Sequence, residues 1–340
     1  MARKVKLAIN WAAACGGCDV AILDLEDALL ELANIAEIVY WPVAMDFKRQ
    51  QLRQLAPGSV DVGIFNGAVR TSEQEEDALL MREKSRVLVA CGSCACFGGI
   101  PGLANASTRE RLLQTVYSTT ASTDNPEEVR PTARHDTAGV SLELPELLDT
   151  VRPLHQVVDV DLFLPGCPPP LERVQELLAV IEALGRDALP PPKGTFLAST
   201  RALCEECPRG GNRRREPIGR FVRVHQVPPT ADTTTCLLEL GIACAGLATR
   251  GGCGASCIRV NMPCRGCFGP LPDQLDPAAE LASALAALAG PRGNWELPVH
   301  QIVGPARSLP DPLGTLYRFT YPVSIGRRTL ARDGRGGNDG

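Results

Sequence analysis

Cysteine is the residue type whose number and spacing could do chemistry in this chain. Of 340 residues, 14 are cysteine. Eight of them fall in one stretch, as Cys204-Glu-Glu-Cys207, Cys236, Cys244, Cys253, Cys257 and Cys264-Arg-Gly-Cys267. Aromatic residues and long apolar runs are nearly absent between them, so the stretch is not expected to close a conventional hydrophobic core. Eight thiolates suffice for two sites of four ligands, and metal–ligand bonds would then supply the folding energy that apolar burial does not.

Zinc in a four-cysteine site and a cubane iron–sulfur cluster both use four thiolates. The local sequence favours iron. Pro208 follows Cys207, and Pro168 follows Cys167 far upstream; proline after a ligand cysteine recurs in ferredoxin-type runs. Cys253 and Cys257 are spaced less regularly than the paired knuckles of zinc ribbons. Disulfides are the third reading, and they depend on compartment. The opening residues, Met-Ala-Arg-Lys-Val-Lys-Leu-Ala-Ile-Asn-Trp, carry neither an apolar signal region nor a twin-arginine pair. No apolar stretch approaches the length of a membrane span. The expectation is therefore a cytoplasmic chain with reduced thiols and no direct membrane insertion. A net charge of −4 gives no reason to expect nucleic acid as a partner.

The elements that must position these cysteines alternate between strand and helix in the first half. Val5 to Trp11, Ile35 to Trp41, Val60 to Asn66, Arg86 to Cys91 and Val157 to Leu164 read as strands. Val20 to Ala33, Glu73 to Lys84 and Leu171 to Leu184 read as helices. Repeated β-α units imply a doubly wound parallel sheet with helices on both faces. Cys15 and Cys18 then follow the first strand, Cys91, Cys94 and Cys96 another, and Cys167 the last. Open α/β sheets collect their ligands at the carboxyl ends of strands, so these three loops can converge on one four-thiolate site. Such a site needs only four of the six thiols, and Cys91 and Cys96 read best as small buried hydrophobes.

The glycine-rich loops lack a Gly-Lys-Ser/Thr sequence and a G-x-G-x-x-G fingerprint, which argues against nucleotide binding. His135, His155, His225 and His300 have no metal-like spacing, and Arg213, Arg214 and Arg215 read as a solvated loop. Leu103 to Pro153 is a polar insertion expected on the surface or against a partner. Pro190, Pro191 and Pro192 suggest a division into residues 1–190, an α/β domain with one site, and 191–325, an irregular cysteine-rich domain with two. Pro277 to Leu288 reads as an alanine-rich helix, Leu316 to Ile325 as a last apolar run, and 326–340 as a disordered tail.

Laid out in this way, the chain resembles the small subunit of a [NiFe] hydrogenase, of the cytoplasmic, methyl-viologen-reducing type associated with heterodisulfide reductase. The resemblance lies in Trp11 with Cys15-Gly-Gly-Cys18, Gly92-Ser-Cys94-Ala, Gly98-Gly-Ile-Pro-Gly102, Pro165-Gly-Cys167-Pro-Pro169, Cys204-Glu-Glu-Cys207-Pro-Arg209 and Pro263-Cys264-Arg-Gly-Cys267. It implies a flavodoxin-like domain followed by an iron–sulfur domain, and three [4Fe–4S] clusters. Cys15, Cys18, Cys94 and Cys167 would hold the proximal cluster. Cys253, Cys257, Cys264 and Cys267 would hold the medial cluster, and Cys204, Cys207, Cys236 and Cys244 the distal one. It also implies an electron-transfer role, no catalytic residue on this chain, and a large subunit carrying the Ni–Fe centre. A further iron–sulfur or flavin electron-accepting subunit, such as heterodisulfide reductase, would be the next partner. Periplasmic relatives have histidine where this chain has Cys204 and proline where it has Cys257, so the medial cluster is expected to be [4Fe–4S] rather than [3Fe–4S]. They also carry a glutamate before the first cysteine pair; Ala14 stands here, and the nearest acid is Asp19. Two rival readings are a zinc-stabilised scaffold and a quinone-linked subunit of the complex I type.

Overall fold

The computed structural model describes residues 3–210, 217–228, 233–289 and 304–326. The 326–340 tail, apart from its first residue, lies outside these, as do the three arginines 213–215 and His300. Elements follow in chain order as β1 (Val5–Trp11), α1 (Gly17–Leu23), α2 (Asp27–Ile35), β2 (Ala36–Tyr40), α3 (Arg49–Gln54), β3 (Val60–Asn66) and β4 (Val69–Thr71). Then come α4 (Ser72–Lys84), β5 (Ser85–Cys91), α5 (Gly92–Phe97), α6 (Arg109–Gln114), β6 (Arg134–Thr137), β7 (Val140–Glu143), β8 (Leu147–Arg152), β9 (Leu162–Leu164) and α7 (Leu171–Gly185). The remainder is β10 (Thr195–Phe196), α8 (Leu203–Glu206), α9 (Ser256–Arg259), α10 (Pro277–Leu288) and α11 (Pro312–Tyr317).

Six parallel strands form the main sheet in the order β10-β9-β5-β3-β1-β2. Its first five strands follow the flavodoxin-like winding, in which the direction of crossover reverses between β1 and β3. The apolar runs that mark β1, β3 and β5 are buried on both faces, as a parallel sheet covered by helices requires. On one face Ile22, Leu32, Leu177 and Ile181 from α1, α2 and α7 pack on Leu7, Ile9, Val62 and Val89. On the other, Leu52, Ala78, Met81 and Phe97 from α3, α4 and α5 pack on Ala8, Phe65, Leu88 and Phe163. The doubly wound fold expected from the sequence is the fold observed.

Three local expectations change. The helix expected over Val20 to Ala33 is two helices, broken at Glu26, whose φ is +50°. The turn lets Leu25 and Leu32 both reach the core while Leu23 and Leu30 face outward. The strand expected from Val157 begins only at Leu162, because Asp161 reaches β5 with its side chain. The carboxylate accepts the Leu88 N–H at 2.7 Å and the Arg82 guanidinium at 2.6 Å. The cysteine-rich stretch does have an apolar core, contrary to expectation. Leu203, Phe221, Leu237, Ile242 and Ile258 close it against Leu281 and Leu285, which α10 brings from outside the stretch.

The polar insertion runs over the surface. Its β6–β7 hairpin is fully exposed, while β8 is tied back by antiparallel pairing with β4. Past the three prolines, β10 returns to complete the main sheet. Phe196 of β10 stacks on Phe163, with ring centroids 4.5 Å apart, and Arg250 lies over its ring at 4.4 Å. No helix among the described residues is long and apolar enough to cross a membrane.

Candidate metal centres

The first group of cysteines lies at the carboxyl end of the sheet. Cys15 sits in the turn between β1 and α1, which Gly16 enters with φ +82°, and Cys18 is the second residue of α1. Asp19, the next residue, is buried and pins this turn to the sheet. Trp41 donates its indole N–H to Asp19 at 2.9 Å, and the Asn66 amide donates to the other carboxylate oxygen. The sequence gives no sign of this role: Trp41 and Asn66 follow β2 and end β3, and only the winding of the sheet makes them neighbours.

Cys91 ends β5, and Cys94 and Cys96 lie in α5. The chain passes between the sulfurs here with no room to spare. A Cβ on Gly92 would fall 2.3 Å from Cys18 Sγ, and one on Gly99 would fall 2.5 Å from Cys94 Sγ. Cys96 points away, wholly buried, with its thiol donating to the Ala90 carbonyl at 3.3 Å. Cys167 follows β9 and is exposed, as is Cys15.

Electrostatics show which thiols share space. Burial raises the Cys94 thiol, and Cys167, Cys18 and Cys15 add to this, pushing it up to about 12. Burial also raises Cys167, with Cys18 and Cys15 adding. Cys18 is raised first by the Cys91 thiol, with which it makes a hydrogen bond, then by burial, Cys15 and Asp19. Cys15 and Cys18 thus act on both Cys94 and Cys167, while Cys91 touches the group through Cys18. Side-by-side thiolates repel, and a nearby cation removes that penalty.

The other eight lie in the cysteine-rich half. Cys244 is raised by burial and then by Cys236 and Cys207. A Cβ on Gly246 would lie 3.4 Å from Cys204 Sγ and 3.8 Å from Cys244 Sγ, so these two sulfurs flank one point. Cys267 is pushed up to about 12 by burial, then by Cys253 and Cys257. Cys264 rises with burial, then with Cys244 and Cys267. Glu206, next to Cys207, reaches across to the Gly252-Cys253 turn. Its carboxylate accepts the Gly252 N–H at 2.9 and 3.0 Å, and it adds to the effect of burial in raising the Cys253 thiol.

Known proteins resemble this chain along most of its length. The family described as NADH ubiquinone oxidoreductase, 20 Kd subunit, matches residues 15–181. The iron-sulfur subunit of the F420-non-reducing hydrogenase of Archaeoglobus profundus is 37% identical over 330 residues, covering 96% of this chain and 99% of its own. This chain belongs to that hydrogenase subunit family. The matching vhu subunit of the F420-non-reducing hydrogenase of Methanocaldococcus jannaschii is 36% identical over 323 residues, covering 94% of this chain and 96% of its own. A Dm. baculatum [NiFeSe]-hydrogenase structure aligns with a TM-score of 0.51 at 18% identity, over 80% of this chain and 97% of that one, a likeness of fold. Membership agrees with the resemblance drawn from the cysteine motifs and makes this chain an oxidoreductase subunit of the hydrogenase class.

Proposed function

We propose that this chain is the electron-transfer small subunit of a [NiFe] hydrogenase, with three [4Fe–4S] clusters. Residues 1–190 hold the proximal cluster on Cys15, Cys18, Cys94 and Cys167. Residues 191–325 hold the medial cluster on Cys253, Cys257, Cys264 and Cys267, and the distal one on Cys204, Cys207, Cys236 and Cys244. When bound, the clusters supply one-electron carriers between the Ni–Fe centre of a large subunit and a downstream iron–sulfur or flavin subunit, in the cytoplasm. The chain's own residues supply thiolates, burial and hydrogen bonds to sulfur, which set the potentials of such clusters.

The observation that carries this reading is the convergence of three cysteine loops at the carboxyl end of the sheet, where Cys15, Cys18 and Cys167 all act on the Cys94 thiol. The glycine positions at which a Cβ would strike a ligand sulfur fit the same bulky group. A zinc ion draws its thiolates to about 2.3 Å, whereas a cubane presents four separate irons, one to each cysteine. Trp11, Val20, Ile100 and Leu171, each a short step along the chain from a cysteine of the proximal set, are exposed apolar residues suited to contact with the large subunit.

The test is stoichiometric. Protein purified anaerobically in its natural complex should carry, on this chain, about twelve iron atoms and about twelve acid-labile sulfides, with negligible zinc. Saturation near about eight iron atoms would sink the three-cubane assignment.

Cys257 offers a sharper test of the medial set. It is the second residue of α9, in the first helical turn, where a proline's missing N–H is tolerated. Cys257→Pro is therefore expected to fold and to yield a [3Fe–4S] cluster, seen as a new isotropic EPR signal in the oxidised protein. Removing a thiolate raises the potential, so hydrogen evolution from a low-potential donor should fall further than hydrogen uptake with a high-potential dye. An unchanged spectrum with full iron would remove Cys257 from the ligand set.

A further inference from the structure

Neighbouring cysteine sets meet at two junctions. At the first, the Cys264 N–H lies 3.3 Å from Cys244 Sγ, joining the medial and distal sets. At the second, Gly166, just before Cys167 of the proximal set, and Cys267 of the medial set are bonded to one serine.

Ser93 lies on the second of these junctions. It is 1% exposed. Its N–H donates to the Gly166 carbonyl at 2.7 Å. Its hydroxyl is 2.8 Å from that same oxygen and 2.6 Å from the Cys267 carbonyl, so one proton serves both. The residue after Cys91-Gly92 thereby fastens the residue before Cys167 to Cys267 itself. A buried hydroxyl is costly unless it is bonded, and here both of its partners belong to the junction.

We propose that Ser93 is a positioning residue for electron passage, holding the Gly166-Cys167 backbone against Cys267 so that the proximal and medial sets keep a fixed separation. The inference rests on the electron-transfer reading above. The step it serves moves one electron: one side is oxidised, the other reduced, and no bond forms or breaks. Electronic coupling decays steeply with every fraction of an ångström added to a contact, so a small relaxation here is enough to be read.

The experiment uses the complete hydrogenase complex carrying Ser93→Ala, with Ser85→Ala as control. Ser85 is likewise buried but starts β5, at the far end from Cys91, and its hydroxyl has no partner among the described residues. The readouts are iron content, EPR potentials and spin–spin broadening of the proximal and medial signals, and freeze-quench rates of medial reduction by hydrogen. Ser93→Ala should keep its iron, weaken the spin–spin broadening and slow medial reduction severalfold. Ser93→Thr, which keeps the hydroxyl, should restore the rate, and Ser85→Ala should match wild type. Full iron with unaltered broadening and rate in Ser93→Ala would overturn the proposal. Loss of proximal iron would overturn it too, because a residue that only positions the junction leaves both ligand sets intact. Absence of cluster signals from the wild-type complex would instead remove the electron-transfer reading itself.

Discussion

Cys94→Ala is expected to remove about four irons and to cut hydrogen-dependent dye reduction by more than about a hundredfold, since even outer-shell changes at metal sites cost that much. Its sulfur belongs to the proposed proximal set and is raised by burial and by all three of the others. Cys15 and Cys167 lie on the exposed side and cannot replace it. The neighbours in the same loop make the contrast. Cys96 spends its thiol on the Ala90 carbonyl, so Cys96→Ala should keep all the iron and cost only about 1 to 2 kcal/mol of stability. Cys91→Ala should also keep the iron, although its thiol reaches Cys18. Iron analysis and dye reduction on the three variants decide the matter: four irons lost from Cys91→Ala but not from Cys94→Ala would exchange their roles.

Gly99→Ala should do comparable damage without touching a thiol. Gly99 has φ +56° and ψ −156°, a conformation essentially reserved for glycine. The added Cβ would lie 2.5 Å from Cys94 Sγ, 2.8 Å from its Cα and 3.0 Å from its nitrogen. Two of those atoms are backbone and cannot swing aside. Strain and overpacking together should cost about 4 kcal/mol, read as a lower denaturation midpoint of the anaerobic protein. Whatever relaxation follows must move Cys94, so proximal iron should fall as well. Wild-type stability with full iron would mean that the α5 turn is far softer than its packing implies.

Much of this was legible from residues alone. The strands β1, β3 and β5 and the helices α4, α7 and α10 lie within a residue or so of their sequence-based bounds, because apolar runs there end at glycine, proline or polar residues. The helix break at Glu26 was not legible, since leucines at helical spacing continue across it. β10 was not legible either, because a two-residue strand has no period to detect. The apolar core of the cysteine-rich half was hidden for another reason: Leu281 and Leu285, which close it, come from α10, outside the stretch that holds the cysteines. At the site, three loops meeting at one edge of the sheet follow from the β-α order. The grouping of the other eight cysteines came from family resemblance, not from spacing. The hydrogen bonds of Asp19 and Ser93 join residues far apart in the chain, and nothing local announces them.

The return of β10 to the sheet limits how this chain can be taken apart. Phe196 stacks on Phe163 and, more loosely, on Phe97, and it carries Arg250 from the cysteine-rich half on its ring. Gly269 presses its bare Cα side against Phe97, where a Cβ would stand 2.1 Å from the ring. A fragment cut at the three prolines would lose an edge strand and leave two phenylalanines uncovered. The smallest portable unit, for grafting this electron conduit onto another donor, therefore runs from β1 to at least Gly269, and the proximal site cannot be borrowed by itself.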